Sequence, residues 1–121
     1  MANPSLSSLV PQFWGNNAAI YTWTALPASL AGPSVSGPGW TDRSVQVTGT
    51  FGVGATVTLQ GSNDGTNWFT LHDPFANLLS FTAAGFAEVT EIALFMRPNV
   101  AGGDGTTSIN VVLVCCNHQN N

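Results

Sequence analysis

The chain contains no lysine, and Arg43 and Arg97 are its fixed cations against six carboxylates. Charged residues make up 7% of its 121 positions, far below the ~25% usual for soluble domains. Its surface must therefore be coated with Thr, Ser, Asn and Gly, or with apolar groups that belong against something else. A net charge of -4 with no basic cluster argues against nucleic-acid binding, because phosphate neutralisation supplies most of that affinity. Cys115 and Cys116 are adjacent, and a bridge between neighbours would strain the backbone, so they form neither a disulfide framework nor a metal spacing. They read as small apolar residues at the end of a strand. No run reaches the ~20 apolar residues that cross a bilayer. The start, MANPSLSSLVPQFW, lacks the basic and continuous apolar segments of a secretory signal. The expectation is a protein made and used without crossing a membrane by itself.

Catalytic chemistry is equally sparse. His72 and His118 are the two imidazoles, and neither stands in a metal-ligand spacing or a nucleophile motif. Asp64, Asp73 and Asp104 each sit in a Gly- or Pro-containing turn, where an Asx cap accounts for them; a calcium site would need those carboxylates to converge in space. Glu88, Glu91 and Arg97 could form a glycosidase-like carboxylate pair with a cation, or a structural ion pair, and the structural reading is preferred. No catalytic, cofactor-binding or metal-binding residue is expected, and the chain is read as a non-enzyme.

What is present is β-patterning punctuated by turns. The stretch Ala55 to Leu71 organises the rest: Val57 and Leu59 alternate with Thr56, Thr58 and Gln60, and Ser62-Asn63-Asp64-Gly65 supplies tight-turn chemistry. Asn67 to Leu71 resumes as a strand with Trp68 as a core anchor. Ala18 to Leu26 reads as a strand whose Tyr21 and Trp23 face is buried, and Arg43 to Phe51 as another, with Gly49 marking a bulge. Between them, the Pro and Gly of residues 27–39 exclude helix or central strand. Leu78 to Thr82 reads as a short strand, and Phe86 to Glu91 as either a strand or a helical turn. Ile92 to Val100 reads as a strand that Pro98 places at an edge or a bulge. Thr107 to Cys115 closes the domain, and Val112 and Val114 make its second face apolar too, as in a strand covered on both sides or shared between subunits. The expected core is Val45, Val47, Phe51, Val57, Leu59, Trp68, Ile109, Val111 and Leu113.

The fold class that follows is all-β: a single antiparallel β-sandwich, jelly-roll-like or immunoglobulin-like, with an extended N-terminal arm. Residues 1–17 form the arm, 18–116 the sandwich and 117–121 a polar tail. The arm scatters Leu6, Leu9, Val10, Phe13 and Trp14 among prolines, serines and asparagines without a period of two. A disordered tail is normally poor in large apolar residues, so the arm is expected to lie on a surface that hides its rings.

The runs Trp40-Thr41-Asp42-Arg43-Ser44-Val45-Gln46-Val47-Thr48-Gly49-Thr50-Phe51-Gly52, Gly61 to Trp68, Leu79 to Gly85, Arg97 to Val100 and Gly102 to Ser108 resemble a group of small tailed-phage structural proteins. The resemblance covers about residues 18 to 115, and its motifs are turns and strands that name no active site. It implies a capsid decoration, or cement, protein: a β-sandwich on the outer surface of the virion, assembled in the host cytoplasm. Its partners would be the major capsid protein and copies of itself, as a trimer or dimer, with no nucleic acid and no membrane. Leu94-Phe95-Met96 departs from the pattern, where a more polar or basic strand would stand, and suggests a buried contact. The expected partner-contact residues are Leu9, Val10, Phe13, Trp14, Phe95, Met96, Val112 and Val114. Two other readings stand beside this one. With Trp40 or Trp68 exposed, the sandwich would suit a carbohydrate- or receptor-binding module of a tail fibre; as a collar or neck component it would differ only in copy number.

Overall fold

The computed structural model describes residues 8–14, 18–36 and 40–117, the first of these segments by its backbone. Two antiparallel sheets pack face to face as a β-sandwich, with no helix among the described residues. The first sheet holds β1 (Ser8–Trp14), β2 (Ala18–Leu26), β11 (Ser108–Cys116), β5 (Asp42–Thr50) and β9 (Gly85–Glu88) in the order β1-β2-β11-β5-β9. The second is built on β10 (Phe95–Ala101) and β6 (Thr56–Ser62). Outside β10 lie β3 (Leu30–Ala31) and β4 (Val35–Ser36), and outside β6 lie β7 (Phe69–Thr70) and β8 (Ser80–Phe81).

Alternation drives the inner faces together. Val45 and Val47 of β5, Val57 and Leu59 of β6, and Ile109, Val111 and Leu113 of β11 all point into one core with Trp23 and Leu26. Each such side chain contributes ~1.5–3 kcal/mol by leaving water. Phe51 packs against this core from its margin. Trp68 does not belong to it. That ring is half-buried, with the Arg97 guanidinium stacked 4.1 Å from its centroid, and the core tryptophan is Trp23, fully buried and donating from Nε1 to the Pro33 carbonyl at 2.8 Å. Gly32 makes room for it, since a Cβ there would lie 2.8 Å from Trp23 Cδ1.

The strand pairing bears on three further expectations. The segment read as an extended arm contains β1, which pairs with β2 along its whole length from Ser8↔Thr24 to Trp14↔Ala18. β1 is an edge strand, and an edge is where Pro11 is tolerated. Residues 1–7, 15–17 and 118–121, and with them His118, lie outside the described residues. The bulge falls opposite the expected strand. The β5 register runs unbroken through Gly49↔Ile109, whereas Ile109↔Leu26 and Val111↔Trp23 leave Thr24 and Ala25 of β2 against Asn110 alone. Ala25 takes φ 57°, and its N–H donates to Asn110 Oδ1 at 3.1 Å. The extra residue returns Leu26 to the core.

Pro98 lies in the interior strand β10, not at an edge. Its carbonyl accepts from Gly32 N–H at 2.9 Å, in the gap where β3 has ended and β4 has not begun. Because a strand residue's N and C=O point to the same side, the missing donor faces a break in pairing. The undecided segment 86–91 resolves into β9, followed by an extended crossing to the second sheet.

Candidate functional site

The expected contact residues do not form one surface. Leu9, Val10, Phe13 and Trp14 lie in β1, and their side chains are outside the described residues. Met96 is wholly buried in the core and so cannot touch a partner. β10 alternates, and Met96 falls on its inward phase opposite Gly61. Phe95, one residue earlier, points outward and is half-buried beside Gly65. Val112 and Val114 are half-buried on the outer face of the other sheet, level with Ile20 and Ser44 at one end and Thr22 and Gln46 further along. Phe95 and the β11 valines therefore face opposite ways.

The carboxylates are engaged with their own chain. Asp64 accepts from the N–H groups of Thr66 and Asn67, each at 2.8 Å, from Asn67 Nδ2 at 2.8 Å and from Ser62 Oγ at 2.9 Å. The amides of Asn67 and Thr66 hold its carboxyl well below the usual range. Asp73 closes its turn on the N–H groups of Phe75 and Asn77, both at 2.9 Å. Asp104 accepts from Thr106 Oγ1 at 2.6 Å and Val53 N–H at 2.9 Å, tying the β5–β6 loop to the β10–β11 loop. Both are lowered by these bonds, led for Asp73 by the Asn77 amide and for Asp104 by the Thr106 hydroxyl.

Glu91 braces the crossing between the sheets. One carboxylate oxygen accepts from His72 N–H at 2.7 Å and the other meets His72 Nδ1 at 2.5 Å, while Thr90 N–H donates to the His72 carbonyl at 2.9 Å. Burial acts to raise the Glu91 carboxyl, but the His72 amide and ring outweigh it and leave it lowered. Glu88, Glu91 and Arg97 thus take different places: Glu88 is exposed on β9, Glu91 is held by His72, and Arg97 lies on Trp68 with Nε donating to Gln60 Oε1 at 2.9 Å. They form no carboxylate pair with a cation. Among the described residues no three His, Cys, Asp or Glu side chains cluster as metal ligands.

Arg43, one of the two fixed cations, lies inside the fold. It is 4% exposed on the inward phase of β5, and its Nε and Nη1 have no partner. Nη2 reaches the Thr90 carbonyl at 3.4 Å. Burial depresses its pKa, partly offset by Cys115, Asp42 and Glu91. Burial also pushes the Cys115 thiol up to about 12, which makes it unreactive.

Sequence reasoning missed the most exposed apolar group. Phe75, in the turn between His72 and Leu78, is 85% exposed, Phe69 of β7 69%, Ile92 59% and Leu78 58%. Phe69 and Ile92 flank a cleft of about 510 Å³ floored by Gly61, Leu71 and Ala93 and rimmed by Asn63, Asn67, His72 and Glu91. A second, smaller hollow of about 300 Å³ lies on the outer face of the first sheet between Phe86, Glu88, Val114 and Cys116. The signal for the exposed Phe75 was its place inside turn chemistry, Asp73-Pro74-Phe75-Ala76-Asn77, where no strand alternation exists to bury it.

No family model matches the chain, and no curated protein matches it in sequence. Among solved structures it is similar to the SPBc2 prophage-derived protein YomS. That likeness has a TM-score of 0.61 at 12% identity and covers 86% of this chain and 98% of that one. At this identity the likeness is one of fold.

Proposed function

We propose that this chain is a phage virion structural protein that decorates the capsid shell and stabilises it by bridging major capsid protein subunits. The observation that carries the reading is the surface. Large apolar side chains stand exposed on a rigid β body, while Asp64, Asp73, Asp104 and Glu91 are turned to bracing the protein's own loops. Such a surface suits burial against protein neighbours, where aromatic anchors dominate the energetics. The fold it shares with a prophage-derived protein supports the same reading. Work as a brace asks for rigidity and complementary apolar patches, with no tuned pKa and no cofactor, so the protein acts without catalysis. The experiment is co-sedimentation of the purified protein with expanded shells of its own phage from which it has been omitted. Saturation at hundreds of copies per particle, with a raised shell melting temperature, is expected. Absence of binding overturns the reading, and about a dozen copies at one vertex assigns a collar or neck role instead.

A receptor-binding role has one observation in its favour. The cleft beside Phe69 combines an apolar wall with the amides of Asn63 and Asn67, groups suited to a saccharide. Specific binding on a glycan array, with no affinity for shells, would select it.

A further inference from the structure

We infer that the cleft beside Phe69 is a site for a neutral hexopyranose, read by three polar side chains that the fold anchors through one atom and leaves unpaired at another. Asn63 Oδ1 accepts from Leu94 N–H at 3.0 Å, which fixes the amide and leaves Nδ2 as a donor. Asn67 Nδ2 donates to Asp64 Oδ2 at 2.8 Å, which leaves Oδ1 as an acceptor. His72 Nδ1 meets one oxygen of Glu91, and His72 N–H donates to the other. An ionised carboxylate only accepts, so Nδ1 carries the proton and Nε2 of the uncharged ring holds a lone pair. All three residues line the cleft. No bond among the described residues engages Asn63 Nδ2, Asn67 Oδ1 or His72 Nε2.

These atoms are pre-positioned. Each side chain is already tethered by its other polar atom, so little conformational freedom is lost when a ligand docks. One donor and two acceptors suit adjacent sugar hydroxyls, because every hydroxyl both donates and accepts.

The apolar part of the cleft suits the C–H face of the same ring. Phe69 and Ile92 are exposed beside it, and Leu71 and Ala93 are buried at its floor. Small-molecule sites of about 300–1,000 Å³ are mostly apolar with a few placed polar groups, and this one is about 510 Å³. A cavity of about 150 Å³ already accepts a six-membered carbon ring, so a pyranose with its hydroxyls fits.

Charge selects among sugars. No arginine lines the cleft, whereas Asp64 and Glu91 do, and hydrogen bonds hold both carboxyls below their ordinary values. Two negative charges at the rim oppose a carboxylated or sulfated sugar, since like charges brought together are costly.

This inference rests on the receptor-binding reading of the cleft and not on shell binding. The test is a titration of the full chain, followed by NMR of its backbone and side-chain amides. The probes are the methyl glycosides of glucose, galactose and mannose, N-acetylglucosamine, and glucuronate, which carries a carboxylate on the glucose ring. F69S removes the apolar wall, and N63D keeps the oxygen that accepts from Leu94 while replacing the free donor. Both positions are exposed, so unchanged melting curves are expected. At least one neutral sugar should bind in the millimolar range and shift the Asn63 and Asn67 side-chain amides. Glucuronate, and either variant with that sugar, should bind at least about tenfold more weakly. Shifts with no neutral sugar and none with glucuronate would overturn the inference together with the receptor-binding reading. Glucuronate bound as tightly as the neutral sugars, or F69S binding undiminished, would overturn the inference alone and leave a saccharide receptor of other chemistry.

Discussion

Asp104 touches two loops that are far apart in sequence, and the sequence shows only one of them. Its place in Gly103-Asp104-Gly105 identifies the Asx turn that it does form with Thr106, but the N–H of Val53 arrives from the β5–β6 loop through the fold. With Asp64, Asp73 and Glu91 it sets the acid limit of stability. Each folded carboxyl is held below its unfolded value, near ~3.9 for Asp, so the stabilisation is present above that pH and lost as pH falls through the folded values. The melting temperature should therefore be level from neutrality to about pH 5 and fall below about pH 4. Asp64→Asn should flatten that acid limb, and thermal melts across the range check it; an unchanged slope would remove Asp64 from the account. Arg43 argues in the other direction. A guanidinium buried with two donors unpartnered loses more in desolvation than its one 3.4 Å bond returns. Arg43→Met should leave stability unchanged or raise it by about 1–4 kcal/mol, measured by denaturant titration, and a clear loss would show that the charge is compensated.

At the scale of the element, packing decides what alternation leaves open. β5, β6 and β11 alternate cleanly, and their inward residues are legible before folding; Val47→Asp should abolish folding, because it would place an unpaired carboxylate in that core, and a cooperative melt like the wild type's would refute this. Trp68 and Trp23 show the limit. Both are large and both follow strand patterns, yet only Trp23 faces the opposite sheet, because β7 ends after two residues at the edge and leaves Trp68 outside. Gly32→Ala should cost about 1–3 kcal/mol through overpacking, since its new methyl would meet Trp23 and Pro98 at once. β1 was illegible because a strand can be specified by the bare edge of its neighbour. Deleting residues 1–14 should expose β2 as an unpaired edge, and the expected result is aggregation on concentration, seen by light scattering.

Over the whole molecule, a surface that is short of charge makes association insensitive to screening. Shell binding should persist at high sodium chloride and strengthen in ammonium sulfate, because apolar burial is reinforced by excluded salts whereas ion pairs are screened. Loss of binding at moderate salt, followed on the same particles by sedimentation, would mean that Arg97 or the carboxylates carry the contact. By itself the sequence determined the all-β class, most of the strands, the inward set of β5, β6 and β11, the Asx turns at positions 64, 73 and 104 and the poverty of charge, since these depend on period, turn chemistry and composition within a few residues. Only the tertiary structure decided that Met96 and Arg43 are inside, that Trp68 is outside, that Pro98 occupies an interior strand and that β1 completes a sheet. It also brought Phe69, His72 and Ile92 around one cleft. Each of these depends on which strand lies alongside which, and no local pattern carries that information.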